Sequence, residues 1–92
     1  MKAVHPGRIL RRELDARGLA ANQLALALRV PSGRISQILN GKRGLSAETA
    51  LRLSQFFGNT AMFWMNLQAR YDLALVEMEK GPRIRTEVVQ AA

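Results

Sequence analysis

The chain has no cysteine and a single histidine, His5, among its 92 residues. Disulfide staples and cysteine metal sites are therefore excluded, and a reducing, cytoplasmic home is expected. His5 stands beside Pro6 with no second histidine to share a metal, so it reads as a capping or surface residue. Ser32, Ser36, Ser46 and Ser54 have no base to activate them, and the few carboxylates are scattered. Neither metal-ligand spacing nor a glycine-rich phosphate loop is present, so no catalysis, metal or cofactor is expected. Aromatics make up only 5% of the residues, and none lies between positions 21 and 43. RNA-reading modules usually stack bases on aromatic rings, so their absence from that stretch counts against RNA. Apolar runs fall well short of the roughly 20 residues that cross a bilayer, and the opening residues lack the apolar core of a signal peptide.

Acids are also scarce: seven, against fourteen lysines and arginines, for a net charge of +7. The excess is uneven. Through Gly58 there are ten basic residues and three acids; from Asn59 onward there are four of each. A chain whose first two-thirds carries all the excess positive charge is suited to a polyphosphate.

The length sets one small domain. Punctuation predicts five helices and a tail. The first opens at Pro6, which lacks an N–H and suits a first helical position, and stops at Gly18. Ile9, Leu10 and Leu14 face inward. The second spans about Ala21 to Leu28, with Leu24, Ala25 and Leu28 on one stripe and the poor cap Ala20 before it. The third spans about Ser32 to Leu39, entered through Val30-Pro31 and stopped near Asn40-Gly41. Ser46 caps a fourth that ends at Phe57-Gly58. The fifth runs from Asn59 or Thr60 to Lys80, where Gly81-Pro82 is expected to end it. Residues 1–80 then form the domain and 81–92 a tail, in which Ile84, Thr86 and Val88 alternate as in a short strand.

The second and third helices, residues 21–39, read as a helix-turn-helix. On a wheel, Ile35, Ile38 and Leu39 form an apolar arc expected to rest on helices 1, 2 and 4. Ser32, Gly33, Ser36, Gln37 and Asn40 form the opposite arc, free of acids. Gln37 is the leading base reader, because a carboxamide donates to and accepts from an adenine edge at once. Arg34, on the flank, suits guanine or a phosphate. Ser32 and Gly33 permit close approach at the helix's N-terminal end, and Ser36 on the same arc is a further base-reading candidate. Asn40, Lys42 and Arg43 follow the helix and suit the phosphate backbone.

The fifth helix carries two apolar stripes where a surface helix needs one. Phe63, Trp64, Leu67, Tyr71, Ala74, Leu75 and Met78 form the broad one. Met62, Met65, Ala69, Leu73 and Val76 form the second. One stripe suits the core and the other a second chain, which predicts a homodimer through residues 60–80 on a palindromic double-stranded operator.

At these residues the chain resembles the Xre/Cro family of phage-repressor-like helix-turn-helix domains. It is closer to one branch, the HigA/VapI-type antitoxins of toxin–antitoxin modules. The resemblance rests on His5-Pro6-Gly7 with Ile9-Leu10, on Val30-Pro31 with Arg34-Ile35, and on Asn40-Gly41-Lys42-Arg43. It continues through Ser46-Ala47, Thr49-Ala50-Leu51-Arg52-Leu53 and Phe57-Gly58. Phe63-Trp64, Asn66-Leu67-Gln68 and Tyr71-Asp72-Leu73 close it and are its most diagnostic part. It implies an all-α, five-helix fold and a dimeric antitoxin that binds a small RelE/HigB-like mRNA-cutting toxin and represses its own operon. Arg29 stands where the family's turn usually has glycine, which predicts a strained or reshaped turn. Arg8 stands where an acid is expected, and the tail after Glu79 is the least family-like part. Two other readings stay open: a free-standing repressor of the same fold without a toxin, and a protein- or RNA-binding module.

Overall fold

The computed structural model describes residues 2–92. Local chemistry sets the helix boundaries. The His5 side chain caps α1 (Pro6–Arg17), its Nδ1 accepting from the Gly7 amide at 2.9 Å. Next comes α2 (Ala21–Leu28), whose cap residue Ala20 has no acceptor of its own. Gln23 instead reaches back, its Oε1 accepting from the Ala20 amide at 2.8 Å. After α3 (Ser32–Leu39), the Ser46 hydroxyl caps α4 (Ala47–Phe57) by accepting from the Thr49 amide. Thr60 does the same for α5 (Ala61–Glu87) through the Phe63 amide. Each such cap contributes about 1 kcal/mol.

The apolar stripes meet in one core of Leu10, Leu14, Leu24, Ala25, Leu28, Ile35, Ile38, Leu45, Ala50, Leu53 and Trp64. Trp64 is fully buried, and its indole N–H donates to Asn59 Oδ1 at 2.8 Å, so burial leaves no unmet donor. Phe57 and Phe63 pack against the same ring. The broad stripe of α5 is therefore the inward one: Trp64 and Ala74 are buried, and Leu67, Tyr71 and Leu75 are half-buried. Phe63 and Met78, at its edges, are exposed.

The expected stop at Gly81-Pro82 is not a stop. The fifth helix runs through both residues to Glu87, so the tail shrinks to 88–92. Neither a strand at Ile84, Thr86 and Val88 nor any other strand occurs among the described residues. Pro82 forfeits one backbone hydrogen bond. Side-chain contacts span the same stretch. Arg85 grips Glu77 with two nitrogens at 2.7 Å, two turns apart and across the break. Arg83 pairs with Glu87, and the Thr86 hydroxyl donates to the Pro82 carbonyl. Gly81 leaves room for the crossing: a Cβ there would sit 2.7 Å from Glu77 Cδ and 2.8 Å from Arg85 Nη1. Every residue beyond Gly81 is exposed, and the molecule measures 51 × 23 × 22 Å.

Candidate nucleic-acid interface

The recognition candidate, α3, is held from below. Ile35 and Ile38 are fully buried and Leu39 half-buried, and the helix packs on α1 and α2. The third expected support, α4, packs chiefly on α5 and on α2 instead. The α1–α3 approach is so close that a Cβ on Gly7 would run into the Ile38 carbonyl. Opposite this anchor, Ser32, Gly33, Ser36, Gln37 and Asn40 are all exposed, as the wheel predicts. Arg34 is half-buried on the flank and forms no ion pair among the described residues.

The exit from α3 is a built turn. Asn40 is the last cap residue, and Gly41 takes the left-handed conformation at φ 73°. The Gly41 amide donates to Ile38 O at 3.1 Å and the Lys42 amide to Gln37 O at 2.8 Å. These are the two bonds of a Schellman motif. They fix the Lys42 backbone relative to Gln37. The Arg43 guanidinium then folds back, its Nε donating to Gln37 Oε1 at 2.9 Å. In this arrangement Arg43 occupies one lone pair of the Gln37 oxygen, which leaves its second lone pair and the NH2 for a base edge. The pairing also sets a guanidinium beside the leading base-reading candidate.

Two side chains support this loop from outside the motif. Gln68 of α5 accepts from the Leu45 amide at 2.7 Å and donates to Asp72 Oδ1 at 2.9 Å. His5, the α1 cap, stacks edge-on against Tyr71 with ring centroids 4.8 Å apart and lies under Gly41. Burial pushes the His5 imidazole below its ordinary value, against opposing pulls from the Arg43 backbone and the Asp72 carboxylate. Its capping role is the one expected; its place beneath the loop that carries Lys42 and Arg43 is not legible from the motif. Gln68, which the sequence offers only as part of the family resemblance, is likewise a support.

The turn between α2 and α3 bears out the oddity at Arg29. It is the only non-glycine residue with positive φ among those described, at φ 59° and ψ 46°. Its amide donates to Leu26 O and that of Val30 to Ala25 O, which is the Schellman pattern with arginine in the glycine place. Arg52 caps the same end by donating to Leu28 O at 3.0 Å.

The second α5 stripe divides. Met62 and Leu73 are 61% and 70% exposed, and Ala69 and Val76 are also exposed. Met65 is half-buried and packs on its own core, so it leaves the outward set. No helix among the described residues is long and apolar enough to cross a membrane.

A family profile described as Helix-turn-helix matches residues 10–64. Virulence-associated protein I of Dichelobacter nodosus is 49% identical over 81 residues, covering 87% of this chain and 75% of that protein. A solved HigA-family addiction module antidote protein from Coxiella burnetii superposes with a TM-score of 0.96. It is 46% identical, covering 99% of this chain and all of that one. The antitoxin HigA of Pseudomonas aeruginosa, solved with the higBA promoter, gives 0.94 and 38%, covering 99% and 100%. The chain therefore belongs to the Xre-type helix-turn-helix family, on the branch that holds the HigA antitoxins.

Proposed function

We propose that the chain is a cytoplasmic, DNA-binding antitoxin that lays α3 in the major groove of a palindromic operator and represses its own operon. The carrying observation is the acid-free, exposed face of α3 whose exit loop is locked by the Schellman bonds and tied to Gln37 through Arg43. The P. aeruginosa HigA solved on promoter DNA supports the reading by its likeness over 99% of this chain. Gln37, Arg34, Ser32, Gly33 and Ser36 read base edges; Asn40, Lys42 and Arg43 hold phosphates. Two copies pair through Met62, Ala69, Leu73 and Val76 of α5. Pairing sets the recognition helices about 34–36 Å apart, one turn of DNA. The partner to be neutralised is a small RelE/HigB-like mRNA-cutting toxin.

Paired substitutions test the DNA roles. Gln37→Ala loses about 1–3 kcal/mol of discrimination at one base pair. Lys42→Ala weakens binding to all DNA and lowers the salt slope by about one unit. Identical behaviour of the two on specific and random duplexes would refute the assignment. The net charge of +7 favours a second reading, a repressor without a toxin, since it is poorly matched to a basic toxin. Co-expression with the adjacent open reading frame separates the two. Growth arrest relieved by this chain, with a stable complex, supports the antitoxin; a harmless neighbour that does not co-purify supports the free-standing repressor.

A further inference from the structure

Of the eleven arginines, four are engaged by carboxylates, and three of the others stand together on one helix. Arg17, Arg52, Arg83 and Arg85 each sit in an ion pair, with Glu13, Glu48, Glu87 and Glu77. Arg8, Arg11 and Arg12 of α1 are exposed and form no ion pair among the described residues. A solvated helix face usually interleaves both signs at i,i+4 spacing, as Glu13 and Arg17 do on this same helix.

The position of these three follows from how α1 is seated. Gly7 abuts Ile38 of α3, whereas Ile9 on the other flank shares a groove with Leu67 and Tyr71 of α5. On a wheel of about 100° per residue with Gly7 at zero, Arg11 lies at about 40°, Arg8 at about 100° and Arg12 at about 140°. Ile9 lies at about 200° and the buried Leu10 and Leu14 at about 300° and 340°. The three arginines therefore occupy the arc that begins at the α3 side. Arg11 stands one turn along from the contact with Ile38. Asp15 is the single acid on that arc, because Glu13 lies toward α5 and is engaged by Arg17. The first turn of α1 also adjoins the loop that carries Lys42 and Arg43, since His5 lies under Gly41. A basic strip thus continues from that loop along α1.

We propose that Arg8, Arg11 and Arg12 form a second phosphate-gripping face, which extends the DNA footprint beyond the base pairs that α3 meets. The inference rests on the DNA-binding reading above. Guanidinium groups fit the role, since their fork matches two phosphate oxygens at once. Phosphate contacts of this kind add affinity for any duplex without adding sequence preference.

The test is titration of a labelled random-sequence duplex of about 30 bp, some three helical turns, across a range of salt. Wild type, Lys42→Ala and the triple variant Arg8→Ala/Arg11→Ala/Arg12→Ala are compared. The substituted side chains are exposed and unpaired, and alanine favours helix, so circular dichroism and the melting midpoint should stay at wild-type values. The triple variant should lower the salt slope by about 2–3 units per bound protomer, against about 1 for Lys42→Ala. A triple variant with the wild-type slope, beside a Lys42→Ala that lowers it, would overturn the α1 face and leave the DNA contacts to α3 and its exit loop. A wild type that binds no duplex would overturn both readings together.

Discussion

Replacing Arg29 reverses a familiar rule of helix stability. In a helix interior, glycine is less stable than alanine by about 0.5–1 kcal/mol. At Arg29 the backbone is left-handed, at φ 59° and ψ 46°, and every L side chain carries a penalty of about 1–2 kcal/mol there. Glycine escapes that penalty but gives back part of it through its larger unfolded-state entropy. Arg29→Gly should therefore be more stable than Arg29→Ala by about 1 kcal/mol, which is about 4–8 °C in Tm for a domain of this size. The comparison with alanine matters because both variants remove the same charge. Against the parent the gain is smaller, about 0.5 kcal/mol, because a cation at the end of α2 interacts favourably with the helix dipole. Urea unfolding followed by far-UV circular dichroism, at one fixed protomer concentration, measures all three chains. Alanine equal to or better than glycine would refute the claim of strain, and with it the Schellman reading of the turn.

Other expectations follow from the close contacts. Gly7→Ala drives a methyl group into the Ile38 carbonyl and should destabilise by at least about 1–3 kcal/mol, lowering the urea midpoint and loosening α3. The His5 imidazole is held neutral, with its pKa below 6.5 in the fold, so the unfolded chain binds the proton more readily. Stability should be full above about pH 7 and decline as pH falls through 6.5 toward the folded value. His5→Asn keeps a capping acceptor and should flatten that decline between about pH 7.5 and pH 5. Glu77, held below 4.5 by Arg85, titrates beneath this window. Leu73→Asp puts a charge at the centre of the outward α5 stripe and should leave folded monomers in sedimentation equilibrium; an unchanged dimer would remove Leu73 from the interface.

Most helix boundaries were legible because they are written in single residues. Pro6, Gly18, Ser46, Thr60 and Gly58 act on their own backbone neighbours, and each stands at the boundary its chemistry suggests. The exposed arc of α3 was legible for the same reason, since a wheel needs only the helical repeat. The failure at Gly81-Pro82 shows the limit of local rules. Proline's penalty is local, but the clasp of Glu77 on Arg85 reaches across eight residues and is built from side chains. The inner details of the site were hidden likewise. Gln37 meets Arg43 only because Gly41 reverses the chain, and Gln68 meets Leu45 only because α5 passes beside a loop 23 residues away. Which α5 stripe faces inward is decided by the size of Trp64 and the room for it, not by periodicity.

The unsupported end of α5 has a hydrodynamic consequence. A chain of 92 residues folded as a sphere-like domain has a radius of gyration of about 12 Å. Here it is 15.8 Å, with one axis more than twice either of the others. Such a rod tumbles anisotropically and drags more solvent than its 10.2 kDa suggests. On a gel-filtration column a lone protomer will elute early and imitate a larger species. Subunit number must therefore be read from mass, by sedimentation equilibrium or light scattering. The same anisotropy is useful in NMR, where the relaxation of an amide depends on its angle to the long axis.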